Sequence, residues 1–139
     1  MRRVVLDVGV VLSGVISRDG PPGRILTHWR DGAFDAVVSE AWLAEFDDVF
    51  SRPRIVKAIK TAATVALRDT ILRTAVHIAD PPLPTGATPD PNDDYLVGLA
   101  EAGRCDALIS GDRHLLGLVD PRPPVLTPRA FADLLEGSR

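Results

Sequence analysis

Four carboxylates are spread along this chain: Asp7, Glu45, Asp93 and Asp112. Each stands where a strand should end or a helix begin. Asp7 follows Val4-Val5-Leu6, Glu45 lies in a helical stretch at 42–50, Asp93 heads another at 93–102, and Asp112 follows Leu108-Ile109-Ser110-Gly111. In a parallel α/β sheet the carboxyl ends of the strands line one crevice. Four acids gathered there repel one another, which raises their pKa values. A divalent metal ion makes such a cluster stable and also useful. The pattern points to a metal-dependent hydrolytic site, and oxygen-only ligands favour Mg²⁺ or Mn²⁺ over Zn²⁺.

Each acid also has a plainer role. Asp7 could cap a nearby backbone group or pair with an Arg, but its apolar neighbours offer no local reason for a charge. A carboxylate inside a buried strand is costly unless it is paired or bound to metal. On a helix at ~100° per residue, Trp42, Phe46, Val49 and Phe50 form an apolar arc with Glu45 at its edge. Both an inward and a snorkelling Glu45 fit that geometry. In Asp90-Pro91-Asn92-Asp93-Asp94, capping explains one or two acids, yet three stand within five residues. Asp112 is an N-cap candidate too, or a strand-end acid with Ser110 as its hydroxyl partner.

Other chemistries find little support. There is no GxGxxG, GxxxxGK[ST] or GxSxG motif. Cys105 is alone, which excludes an internal disulfide and a thiolate metal cluster. His28 and His77 have no ligand spacing to another His or to Cys. The net charge is −3, so a nucleic-acid partner needs a local basic patch. Arg52, Arg54, Lys57 and Lys60 form one directly after the Glu45 helix, although a solvated helix face looks the same. No apolar run reaches the ~20 residues of a membrane span. Asp7 interrupts the first apolar run, which argues against a signal peptide, so a cytoplasmic location is expected.

The elements that must position these residues alternate. Residues 4–12 are apolar apart from Asp7 and Gly9 and rich in valine, and read as a central strand buried on both faces. A short helix is expected at 24–29, ending near Gly32, and a strand over Phe34–Val38. Ser39 caps the next helix, and Pro53 stops it. Residues 55–79 lack Gly and Pro and read as one or two helices. The proline-rich stretch 80–91 is a rigid connection. A helix over 93–102, a strand over 107–110, a helix over 114–119, an edge strand at Val125–Leu126 and a helix opened by Pro128 complete the series. Strands alternating with helices predict an α/β fold, with a mainly parallel central sheet flanked by helices. The 139 residues suit one domain over 1–139.

The motifs together resemble a known family. Leu6-Asp7, Ser13-Gly14 and Val38-Ser39-Glu40, then Glu45 and Phe50-Ser51-Arg52-Pro53, look like the first half of a PIN domain. Asp90-Pro91-Asn92-Asp93-Asp94-Tyr95-Leu96, Leu99-Ala100 and Cys105-Asp106-Ala107-Leu108-Ile109-Ser110-Gly111-Asp112-Arg113-His114-Leu115-Leu116 look like the second. The branch it resembles is a group of PIN-family toxins related to VapC-type toxins. The resemblance implies a three-layer, Rossmann-like sheet and a Mg²⁺- or Mn²⁺-dependent ribonuclease acting on single-stranded RNA. By matched position its acids are Asp7, Glu45, Asp93 and Asp112, with Asp94 the adjacent alternative to Asp93 and Ser110 in support. Asp7, Asp93, Asp94 and Asp112 become the metal ligands. Arg52, Arg54, Lys57, Lys60 and Arg113 become candidates for RNA phosphate contacts. A cognate antitoxin and a homodimer are implied as partners.

One departure stands out. The family's first motif usually reads Asp-Thr-Asn, whereas this chain has Asp7-Val8-Gly9. Hydroxyl and amide are both missing. That supports an alternative: a catalytically weak or inactive PIN-fold module that binds RNA or protein. A phosphoacceptor receiver domain is a third option. It needs a Lys after a late strand, and the only lysines are Lys57 and Lys60.

Overall fold

The computed structural model describes residues 2–82 and 91–137, without the side chains of 91–94. Strand β1 (Arg2–Leu6) is shorter than the expected strand over 4–12. The chain turns at Asp7 into helix α1 (Val8–Ile16). Asp7 is the N-cap, with extended backbone (φ −58°, ψ 136°) and a carboxylate that accepts the Gly9 N–H at 3.2 Å. The valines that suggested a strand are helical instead. Their helix penalty is only a few tenths of a kcal/mol each, roughly. Burying Val8, Val10 and Val11 outweighs it, at roughly 1.5–3 kcal/mol per side chain.

Helix α2 (Pro21–Arg30) lies against α1 at Gly14 and against the connection between them at Gly23. A Cβ on Gly14 would sit 2.7 Å from the Pro22 carbonyl oxygen, and one on Gly23 only 2.1 Å from that of Arg18. Gly32 (φ +78°) then reverses the chain. Strand β2 (Phe34–Val38) and helix α3 (Glu40–Phe50) follow as expected, with the Ser39 Oγ accepting the Trp42 N–H at 3.3 Å. Pro53 begins helix α4 (Pro53–Ala58) as well as ending the one before. Helix α5 (Thr61–Thr74) stops short of the expected stretch to 79, because Val76 and His77 form strand β3 beside Val37 and Val38. Helix α6 (Pro91–Ala102), strand β4 (Ala107–Ile109) and helix α7 (Arg113–Leu116) come next. Helix α7 is shorter than the expected 114–119, ending at Gly117. Strand β5 (Val125–Leu126) and helix α8 (Pro128–Glu136) close the described chain.

The fold is α/β, with five parallel strands in the order β3-β2-β1-β4-β5. Val4, Val5 and Leu6 are all buried, although successive strand side chains point to opposite faces. Both faces of β1 are therefore covered, as a parallel sheet requires. The chain builds from β1 to β2 and β3 on one side, then crosses to β4 and β5 on the other. The switch falls between β1 and β4, the point at which open α/β sheets generally form a crevice outside the carboxyl ends of their strands.

Candidate active site

Asp7 and Asp112 meet at that switch point through one hydroxyl. The Asp7 N–H donates to the Ile109 carbonyl at 2.9 Å, which aligns the ends of β1 and β4. Ser110 follows directly and is fully buried. Its Oγ donates to the Asp7 Oδ2 at 2.8 Å and accepts the Asp112 N–H at 3.0 Å. Asp112 caps α7, its Oδ1 accepting the His114 N–H at 2.8 Å. Both acids are therefore caps, as their plainer reading held, and both also follow the adjacent strands β1 and β4 at the switch point.

Ser110→Ala should show what this bridge contributes. It would strand a part-buried Asp112 N–H and unload the Asp7 Oδ2. We expect a loss of about 1–3 kcal/mol in urea unfolding and roughly 10–100-fold in any activity that depends on the pair. A variant with wild-type values for both would refute the bridge.

Glu45 approaches from α3. Trp42, one turn earlier, is buried and donates its indole N–H to the Leu6 carbonyl at 2.7 Å. This bond ties α3 to the residue just before Asp7. Glu45 is half-buried, and the Tyr95 hydroxyl on α6 donates to its Oε1. The Glu45 carboxyl is raised above its ordinary range, first by burial and further by the Asp7 charge, against the Tyr95 hydrogen bond. Glu45 thus lies on the inward side that helical geometry had left open. Burial, more than repulsion between acids, dominates its shift. The Tyr95 phenol is also raised, mainly by burial and then by Glu45.

Among the described residues, no Arg, Lys or His forms an ion pair with Asp7, Glu45 or Asp112. The described side chains gather no group of three potential metal ligands. Asp93 and Asp94 stand in the first turn of α6, and their side chains lie outside the described residues. Of the expected basic residues, Arg52 pairs with Asp48 at 3.1 Å, and its charge partly lowers Glu45. Arg54, Lys57, Lys60 and Arg113 are exposed, without an ion pair among the described residues. Two contributors escaped the sequence reading, Tyr95 and the Trp42 indole. The available signal was a buried-face aromatic with a polar tip, which usually finds a partner.

A family model described as PIN domain matches residues 3–114. The chain belongs to the PIN-domain family. The matched span of this PIN domain runs from β1 into α7 and includes Asp7, Glu45, Asp93, Asp94, Ser110 and Asp112. No curated protein matches the chain. Two solved structures share the fold. One is PAE2754 from Pyrobaculum aerophilum, at TM-score 0.66 and 14% identity, with 99% of this chain and 91% of that chain covered. The other is VapBC2 from Rickettsia felis, solved with a DNA fragment from its promoter, at TM-score 0.58 and 14% identity, with 90% and 98% covered. In this PIN domain the Asp7-Val8-Gly9 departure has a structural form. Val8 is fully buried, and Gly9 is exposed at the start of α1, where a Cβ would lie 3.8 Å from the Asp7 Oδ1.

Proposed function

We propose that this PIN domain is a metal-dependent endoribonuclease that hydrolyses phosphodiester bonds in single-stranded RNA. The observation that carries this reading is the Ser110 bridge, which gathers two acids, neither ion-paired to a described basic side chain, at the sheet's switch point. The donor set fits Mg²⁺ or Mn²⁺: Asp7 and Asp112 offer hard oxygens, and no described Lys or Arg competes for them. Asp7, Asp112 and Asp93, or its neighbour Asp94, would hold the ion. Bound there, it would supply Lewis acidity, lowering the pKa of water and offsetting charge on the phosphate.

The chain's own residues do the rest. Ser110 fixes the spacing of Asp7 and Asp112. Glu45, half-buried with one oxygen engaged by Tyr95, presents the other to orient water or a second ion. Arg54, Lys57 and Lys60 offer exposed cations for backbone phosphates, with Arg113 beside Asp112. Arg52 contributes mainly through α3, since it is paired to Asp48. The family and the likeness to VapBC2 support a toxin role with a cognate antitoxin. We include a homodimer and a cytoplasmic location in this reading. Among the described residues no helix is long and apolar enough to cross a membrane.

The test is cleavage of end-labelled single-stranded RNA by purified protein. We expect cutting with Mn²⁺ or Mg²⁺, arrest by chelator, and loss in Asp7→Asn and Asp112→Asn. Cutting that survives chelation or both substitutions would overturn the mechanism. A second reading, a PIN-fold binding module without catalysis, is favoured by Val8 and Gly9, which bring neither a side-chain hydroxyl nor a side-chain amide beside Asp7. Failure to bind Mn²⁺ at millimolar concentration would select it.

A further inference from the structure

Glu45 occupies an unfavourable place unless something holds it there. On α3 it borders the buried Trp42 and Phe46 on one side and the exposed Ala44 and Asp48 on the other. A glutamate at such an edge ordinarily stretches to water. Here three influences oppose the inward carboxylate: its partial burial, the negative charge of Asp7 and, least, that of Asp48. Arg52 offers weak relief, being bonded to Asp48. The only hydrogen bond to Glu45 among the described residues comes from the Tyr95 hydroxyl. Tyr95 is suited to the task. Its ring is half-buried on α6 beside the buried Leu96 and Leu99, so its hydroxyl has a fixed aim. A neutral phenol also donates without cancelling the carboxylate's charge. It engages Oε1 and leaves Oε2 with no partner among the described residues.

We propose that Tyr95 is a positioning residue of the site: its phenol holds Glu45 turned toward Asp7 and leaves Oε2 as the working oxygen. The task assigned to Oε2 rests on the ribonuclease reading, whereas the hold on Glu45 does not. Tyr95 follows Asp93 and Asp94 in the same helix. The bond therefore also links the first turns of α6 to α3, across 50 residues of sequence.

Tyr95→Phe, Glu45→Met, which leaves no acceptor, and the double variant test this in two ways. In metal-free urea unfolding the two substitutions should be non-additive, since each removes the same bond. Additive effects would overturn the hold. In RNA cleavage, Tyr95→Phe should lower kcat about 10-fold with KM unchanged, and the double variant should be no slower than Glu45→Met alone. A merely structural tyrosine would lower stability yet leave kcat untouched, and that result would overturn the positioning role. If the wild type cleaves no RNA, the ribonuclease reading and the task of Oε2 fail together. The unfolding cycle then still decides whether Tyr95 holds Glu45.

Discussion

Asp7→Asn is expected to abolish RNA cleavage while leaving the metal-free protein at least as stable as wild type. The two roles of Asp7 make different demands. As an N-cap it needs only one oxygen to accept the Gly9 N–H, now at 3.2 Å, and asparagine supplies that equally well. The amide can also keep contact with the Ser110 hydroxyl, which sits 2.8 Å from the Asp7 Oδ2. As the proposed metal ligand, however, it needs the charge. Losing a residue that merely orients a ligand typically costs about 10–100-fold, so loss of the ligand itself should exceed about 100-fold. Removing the charge also relieves its repulsion of half-buried Glu45. Asp7→Ala behaves differently, because it loses the cap as well, at about 0.5–2 kcal/mol. Urea unfolding and RNA cleavage on both variants separate the roles. An asparagine variant that still cuts would show that Asp7 is only a cap.

The second large effect concerns Trp42. Its ring stacks on Phe46 (5.9 Å between centroids, 21° between planes), and Phe46 stacks on Phe50 (4.2 Å, 18°). The three form a ladder along the buried face of α3. Trp42→Ala should cost about 3–5 kcal/mol. That is a large part of the roughly 5–15 kcal/mol typical of a whole domain. Trp42→Phe keeps most of the ladder and removes one donor, stranding the Leu6 carbonyl for about 1–3 kcal/mol. Leu6 is joined directly to Asp7, so the phenylalanine variant should also lose activity beyond its loss of stability. Guanidinium unfolding with cleavage at a temperature where both proteins are folded checks this. If Phe and Ala prove equally costly, the indole bond contributes nothing separate from packing.

What could be read from the sequence follows the range of the interaction that decides it. Strand Phe34–Val38, the Ser39 cap and the Pro128 helix start depend on neighbours a few residues away, and the structure keeps all three. Residues 8–12 misled because valine's local preference is weak, and burial against α2 decided for a helix. Strand β3 has two residues and exists only through its pairing with β2, so nothing local announced it. At the site, Ser110 was visible as a hydroxyl partner because it stands two residues from Asp112. The inward turn of Glu45 was not, since its hydrogen-bond donor comes from another helix. The strand-end places of Asp7 and Asp112 were legible in the sequence, while the contacts that join them to each other and turn Glu45 inward lie in distant pairs.

The double duty proposed for Asp7 and Asp112 would give the site its own reporters. Each carboxylate keeps one oxygen on a backbone amide, Gly9 for Asp7 and His114 for Asp112. Whatever draws on those carboxylates must alter the protection of these two protons. Amide hydrogen exchange at Gly9 and His114 should therefore register occupancy of the crevice without any substrate. Each helix start would serve as a gauge of the charge that the crevice holds.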